Sequence, residues 1–126
     1  MKTRLIAPCG MNCNLCAAYL REKNRCPGCR ECDIGTRKSA YNCVIKNCDK
    51  LKENHWKYCS LKCEKFPCRR LKNLDKRYRA KYEMSMIENL EYIEKNGILK
   101  FIESEKKRWI RENKIFCVHK KKYYDM

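Results

Sequence analysis

The sequence predicts a small metal-stapled, mainly α protein: an irregular cysteine-rich N-terminal half with short helices, followed by about three α-helices. Three observations carry that expectation. Twelve of the 126 residues are cysteine, the composition of a stapled scaffold rather than of an ordinary apolar core. Eleven of the twelve lie between Cys9 and Cys68, and only Cys117 lies beyond. Apolar residues at helical spacing begin where the cysteines stop, at Leu71. The expected organisation is a cysteine-rich metal-binding region (1–68), a helical region packing on it (69–112) and a basic tail (113–126).

The first half contains few large apolar residues, among them Leu5, Ile6, Leu15, Ile34, Val44, Ile45, Leu51, Trp56 and Phe66. That set is thin for a self-supporting core, so the staples must contribute folding energy. The start, MKTRLIAPCG, has only Leu5-Ile6-Ala7 as an apolar run, shorter than the roughly 7–15 apolar residues of a signal peptide. No stretch reaches the roughly 20 apolar residues of a membrane span. The expectation is a cytoplasmic protein with reduced thiols, in which cysteines serve as metal ligands rather than disulfides.

The spacings support metal. Cys26-Pro-Gly-Cys29 is a tight turn that aims two sulfurs the same way, with Pro27 presetting φ and Gly28 free to turn. With Cys43 and Cys48 it makes C-x2-C-x13-C-x4-C, a zinc-module layout. CGMNCNLC gathers Cys9, Cys13 and Cys16 onto one centre, with a fourth ligand expected from Cys59, Cys63 or Cys68. Such a set holds either zinc or a four-iron cluster. The same spacing occurs in radical enzymes, but the alternating strands and helices of their barrels are missing here. A thioredoxin-type role for Cys26 and Cys29 lacks its βαβ context for the same reason. His55, near Cys59, reads as a surface histidine more readily than as a substitute ligand. Cys117 and His119 are two ligand types without a complete site. No nucleophile–base set, phosphate-cradling loop or paired acidic site stands out, so nothing in the sequence requires catalysis.

The elements follow in order. CNLCAAYLREKNR predicts a helix from Cys13 to Arg25 on propensity. Leu71, Leu74, Tyr78 and Tyr82 lie at i, i+3, i+7 and i+11, a stripe on a helix from about 68 to 81. Ser85 and Glu88 form a capping box for a second helix that Gly97 stops, with Met86, Ile87, Leu90 and Ile93 on its inner face. A third helix over about 98–111 buries Ile98, Phe101, Ile102, Trp109 and Ile110. The tail, ENKIFCVHKKKYYDM, reads as a solvated, partly frayed terminus.

The net charge is +16. Eight thiolates on two divalent zincs lower it to about +12, because each metal-bound cysteine carries a negative charge. Residues 1–68 hold 14 Lys and Arg against 6 Asp and Glu, and residues 69–126 hold 17 against 9. An excess spread this evenly permits a nucleic-acid partner without pointing to a surface for one.

The succession CGMNCNLCAAY, CPGC, CVIKNC, CSLKCEKFPC and YEMSMIENLEYIEKNGILKFI resembles the cysteine-rich bacterial and archaeal domain-of-unknown-function family 3795, from about Cys9 to Trp109. The resemblance implies a metal-binding protein, with zinc the expected metal and no assigned reaction. It implies Cys9, Cys13, Cys16, Cys26, Cys29, Cys43, Cys48, Cys59, Cys63 and Cys68 as the metal framework, with Cys32 extra. Longer relatives continue into a small zinc ribbon, so by this resemblance Cys117 and His119 are remnants of a lost site. The expected function is a structural or interaction module with about two zinc ions and a protein partner. The alternatives are a [4Fe-4S] protein for electron transfer or sensing, and a basic nucleic-acid-binding adaptor.

Overall fold

The computed structural model describes residues 1–23, 25–29, 43 and 45–125. Cys32, with Ile34 and Val44 of the sparse apolar set, lies outside the described residues. Among those described, five α-helices and two 3-10 turns precede a three-stranded antiparallel sheet. The mainly α expectation therefore fits in part: the helices are there, and a small sheet accompanies them. No helix among the described residues is long and apolar enough to cross a membrane.

The N-terminal segment is a chain of tight turns rather than one long helix. A 3-10 turn over Thr3–Leu5 leads to the Ile6–Asn12 bridge, which closes a loop around Gly10. A second 3-10 turn, Cys13–Leu15, precedes helix α1, Ala17–Leu20. The helix expected over 13–25 is thus reduced to a single turn. Cys16 is extended (φ −80°, ψ 133°) and separates the two pieces. The Asn12 side chain accepts from the Asn14 N–H and starts the 3-10 turn, a local side-chain bond that competes with regular helix. Beyond α1 the Cys26 N–H donates to the Ala18 carbonyl at 2.8 Å, which requires the chain to double back where propensity alone would carry a helix onward.

Helix α2 (Asp49–Asn54) ends at His55, which is left-handed with φ 54°. Helices α3 (Arg69–Tyr82), α4 (Met86–Asn96) and α5 (Ile98–Trp109) fall where the periodicity puts them. Ser85 caps α4, its Oγ accepting from the Glu88 N–H at 3.0 Å, and Gly97 ends it. Strands β1 (Ile110–Arg111), β2 (Lys114–Cys117) and β3 (Lys122–Asp125) follow, paired in the order β1-β2-β3.

The tail is therefore not frayed. Along β2, Ile115 and Cys117 turn inward and are buried, and Val118 behind them is 1% exposed. Phe116 stacks on Trp109 at 5.6 Å between ring centroids, with Tyr123 against its edge at 5.3 Å. The Val118 N–H donates to the Leu15 carbonyl at 3.1 Å, tying the sheet to the second cysteine turn. Apolar alternation packed on an existing surface holds this segment in place despite its lysines.

One apolar core runs through both halves. Leu5, Ala7, Met11 and Leu15 from the turns share a buried cluster with Leu71, Met86, Leu90, Trp109, Ile115 and Val118. A satellite cluster joins Ile6 to Ile93, Phe101 and Ile102.

Candidate metal centres

The first cysteine loop is fixed by contacts from the helices, and the other cysteine turns by contacts with the N-terminal segment. The Ala7 N–H donates to the Met11 carbonyl at 2.8 Å and the Gly10 N–H to the Ala7 carbonyl at 2.9 Å, folding Cys9–Cys13 into a tight loop. Gly10 has φ +90°, and a Cβ there would lie 2.9 Å from the Met86 carbonyl oxygen; only glycine fits this close approach. Asn89 Nδ2, on α4, donates to the Gly10 carbonyl at 2.9 Å. On the other side, Asn12 Nδ2 donates to Glu105 Oε1 at 3.3 Å, and Glu105 Oε2 accepts from Trp109 Nε1 at 3.1 Å. The first cysteine loop is thus pinned between α4 and α5. In the CPGC turn, a Cβ on Gly28 (φ +107°) would meet Leu5 Cδ2 at 2.6 Å. The third cysteine run is joined to the first by the Cys59 N–H, which donates to the Pro8 carbonyl at 2.8 Å.

The side chains then fall into two neighbourhoods. Cys13 is hydrogen-bonded to Cys29, and Cys9 stands within electrostatic range of Cys13, Cys29 and Cys43. Cys16 lies beside them as the residue before α1, and the Tyr78 ring of α3 borders Cys9, Cys16 and Cys29. Cys26 is buried in the same core cluster. The second neighbourhood adjoins the first at the Cys59–Pro8 bond. Cys48, Cys59, Cys63 and Cys68 line one cavity of about 400 Å³, together with Ile45, Leu51, Trp56 and Phe66. Cys48 precedes α2, Cys68 precedes α3, and the other two lie on the turns between, where the Phe66–Pro67 peptide is cis.

This is a different partition from the one that spacing suggests. Cys29 and Cys43 stand with the CGMNCNLC loop, while Cys48 stands with Cys59, Cys63 and Cys68. The described cysteines are free thiols. Among the described residues, no three of His, Cys, Asp or Glu already form a group able to hold a metal ion.

Three of these cysteines, Cys9, Cys13 and Cys59, stand in surroundings that favour the neutral thiol. Burial pushes Cys9 up to about 12, with the Met11 N–H opposing and Cys43 and Cys29 adding to the rise. Cys59 is likewise pushed up to about 12 by burial, then by Cys68, Cys63 and Cys48. Cys13 is raised by its hydrogen bond to Cys29 and by burial. Crowded, half-desolvated thiols resist ionising together, and a cation among them reverses that balance. Four cysteines outnumber the oxygen-bearing side chains at the cavity walls, Asp49 and Ser60, and a sulfur-dominated donor set suits zinc or iron–sulfur rather than magnesium or calcium.

Neither histidine lines the four-cysteine cavity, but His119 shares a surface pocket with Cys16. His55 is exposed, terminates α2 and does not line the four-cysteine cavity. His119 Nδ1 accepts from the Ala17 N–H at 3.2 Å, at the start of α1, and its ring meets Tyr82 edge-on at 4.9 Å. Cys117 is fully buried in the sheet.

Sequence reasoning passed over the polar residues that carry the turns: Asn12, Asp75, Asn89 and Glu105, all buried. The signal for two of them was present. Asp75 follows Leu71 at i+4, and Glu105 follows Phe101 at i+4, so both occupy core-facing stripes of their helices.

Comparison of the chain with protein-family models, with curated proteins and with solved structures returns no match.

Proposed function

We propose that this is a small metal-binding protein whose cysteines hold two thiolate centres, with zinc as the metal and an interaction module as its role. The observation that carries the reading is the convergence of Cys48, Cys59, Cys63 and Cys68, from separate turns, on the wall of one cavity. Four sulfurs from two chain segments close a tetrahedral structural site. The second centre takes Cys9, Cys13, Cys29 and Cys43, with Cys16 and Cys26 adjacent. When bound, zinc supplies charge compensation and a cross-link. The chain supplies the turns that aim the sulfurs and, in Leu51, Trp56 and Phe66, the apolar part of the wall of the four-cysteine cavity. The resemblance of the cysteine framework to domain-of-unknown-function family 3795 agrees with this reading, which calls for a reducing compartment such as the cytoplasm, where thiols stay reduced.

One observation favours a second reading. The cavity, at about 400 Å³, is far larger than the roughly 30 Å³ that one water occupies, and a [4Fe-4S] cluster with its own sulfides needs more room than a single ion. That assignment makes the protein an electron carrier or sensor.

The test is anaerobic purification followed by metal and sulfide analysis and a visible spectrum. Two zincs per chain in a colourless sample support the first reading. Matching iron and sulfide with broad absorbance near ~400 nm support the second. A sample holding neither metal, whose fold survives chelator, sinks both.

A further inference from the structure

Helix α3 carries a charge distribution unlike any other element among the described residues. Its sequence, RRLKNLDKRYRAKY, holds seven cationic residues and one acid. The acid, Asp75, is buried and turned toward the N-terminus of α4. All seven cations are exposed. Only Arg79 has a carboxylate within 4 Å among the described residues, through Asp75 and Glu88. Helices α4 and α5, by contrast, mix glutamates with lysines along their outer faces.

The cations are ordered. Arg69, Lys72 and Lys76 lie at i, i+3 and i+7 along one flank. Arg70, Arg77 and Lys81 lie at i, i+7 and i+11 along the other. Between the flanks run Asn73 and Ala80, small, uncharged and exposed. The aromatic residues of the helix, Tyr78 and Tyr82, are turned inward and pack on the core. The outer face thus offers cations with no ring for a base to stack on, which disfavours a single-stranded partner.

We propose that α3 docks in the major groove of duplex DNA, its two cationic flanks against the two phosphate walls and its Asn73–Ala80 crest toward the base edges. A helix about 10–12 Å across fits a groove about 12 Å wide. Fourteen residues rise about 20 Å, enough to follow several phosphates on each wall. A-form duplex RNA has a major groove too deep and narrow for such a helix, so DNA is the preferred partner. Arg69 and Arg70 also line the four-cysteine cavity, but Lys72, Lys76, Arg77 and Lys81 do not, so the inference goes beyond the metal reading and does not depend on which metal is bound.

The test is fluorescence anisotropy of a labelled 20-base-pair DNA duplex with the full chain as purified. The variant Lys72→Gln/Lys76→Gln/Arg77→Gln/Lys81→Gln should bind at least about 10-fold more weakly, and its log K against log salt slope should be shallower by about 3.6, at roughly 0.9 for each phosphate no longer neutralised. A control with the same change in charge, Lys52→Gln/Lys95→Gln/Lys100→Gln/Lys107→Gln, should bind less than about 3-fold more weakly. All eight residues are exposed, and circular dichroism checks that each variant keeps its helices. Equal weakening in the two variants overturns the proposal, because total charge then explains binding. So does equal or tighter binding to duplex RNA, single-stranded DNA or polyglutamate, or no binding of the DNA duplex at low salt.

Discussion

Asp75 shows how a single buried carboxylate organises the helical half. Its Oδ1 accepts from Ser85 Oγ at 2.6 Å and from the Ile87 N–H at 3.0 Å, and its Oδ2 accepts from Arg79 Nε at 2.6 Å. Burial alone would push its pKa up, but the bonds from Ser85, Ile87 and Arg79 outweigh it and hold the carboxyl below the ordinary value of 3.8. A depressed folded value means that the unfolded chain binds the proton more tightly. The stability from Asp75 is therefore complete above about pH 4–5 and lost as pH falls from 3.8 through the lower folded value. Asp75→Ala should cost about 2–4 kcal/mol at pH 7, the usual range for breaking a buried charged network. In urea unfolding, the gap between wild type and variant should narrow below about pH 4; a gap that stays constant to about pH 2.5 removes Asp75 as its source. Glu105 has the opposite sign. Burial raises its pKa against the bonds from Asn12 and Trp109, so its ionised form opposes folding as pH rises through the raised value.

Glycine substitution separates space from conformation at the same scale. Gly10 and Gly97 have nearly the same φ, +90° and +89°, but only Gly10 faces a backbone oxygen, 2.9 Å from where a Cβ would sit. Gly97→Ala should cost about 1–2 kcal/mol for its backbone angles alone, φ 89° with ψ 161° being a region that glycine almost alone occupies. Gly10→Ala should cost about 2–3 kcal/mol, because the Met86 carbonyl cannot yield without moving the start of α4. Thermal unfolding of the two variants measures the difference. Equal melting points would place the strain in the backbone angle and leave the packing argument without support.

At the scale of elements, the three long helices were legible because each carries its own stripe, cap and stop. Leu71 and Tyr78 face the core, Ser85 caps α4, and Gly97 separates α4 from α5. The sheet was not legible, since its stabilising partners lie far away in sequence. Val118 is held by the Leu15 carbonyl, and Phe116 by the Trp109 ring. Neither contact leaves a trace in KIFCVHKKKYYD beyond a short alternation among lysines. The partition of the cysteines was hidden for the same reason: spacing reports which sulfurs a single turn brings together, while Cys29 reaches Cys13 through the packing of Gly28 on Leu5. Dividing the charge by halves also averaged away the cationic face of α3. The sheet's contribution can be measured. A chain ending at Glu112 removes Ile115, Cys117 and Val118 from the interior, and at roughly 1.5–3 kcal/mol for each buried aliphatic side chain it should no longer unfold cooperatively. A truncated chain that melts within a few degrees of the full one would return the tail to the status of an appendage.

At the scale of the whole molecule, the decisive feature is that the turns and the helices share one core. Leu5, Met11 and Leu15 belong to the same buried cluster as Leu71, Leu90 and Trp109. Asn89 and Glu105 reach from α4 and α5 into the first cysteine loop, and Cys68 is the residue from which α3 begins. If bound metal supplies the folding energy that the sparse apolar set of residues 1–68 lacks, its removal cannot be confined to that half. Chelation should abolish the helical circular-dichroism signal together with the near-ultraviolet signal, at the same chelator concentration. Cys63→Ser should lower bound metal by one centre and shift this transition to less chelator, whereas Cys117→Ser, in the strand that packs on the Cys13–Leu15 turn but outside both proposed ligand sets, should leave the metal content unchanged. Helices that persist while the cysteine half unfolds would mean two independent units. The contacts of Asn89 and Glu105 would then be too weak to couple them.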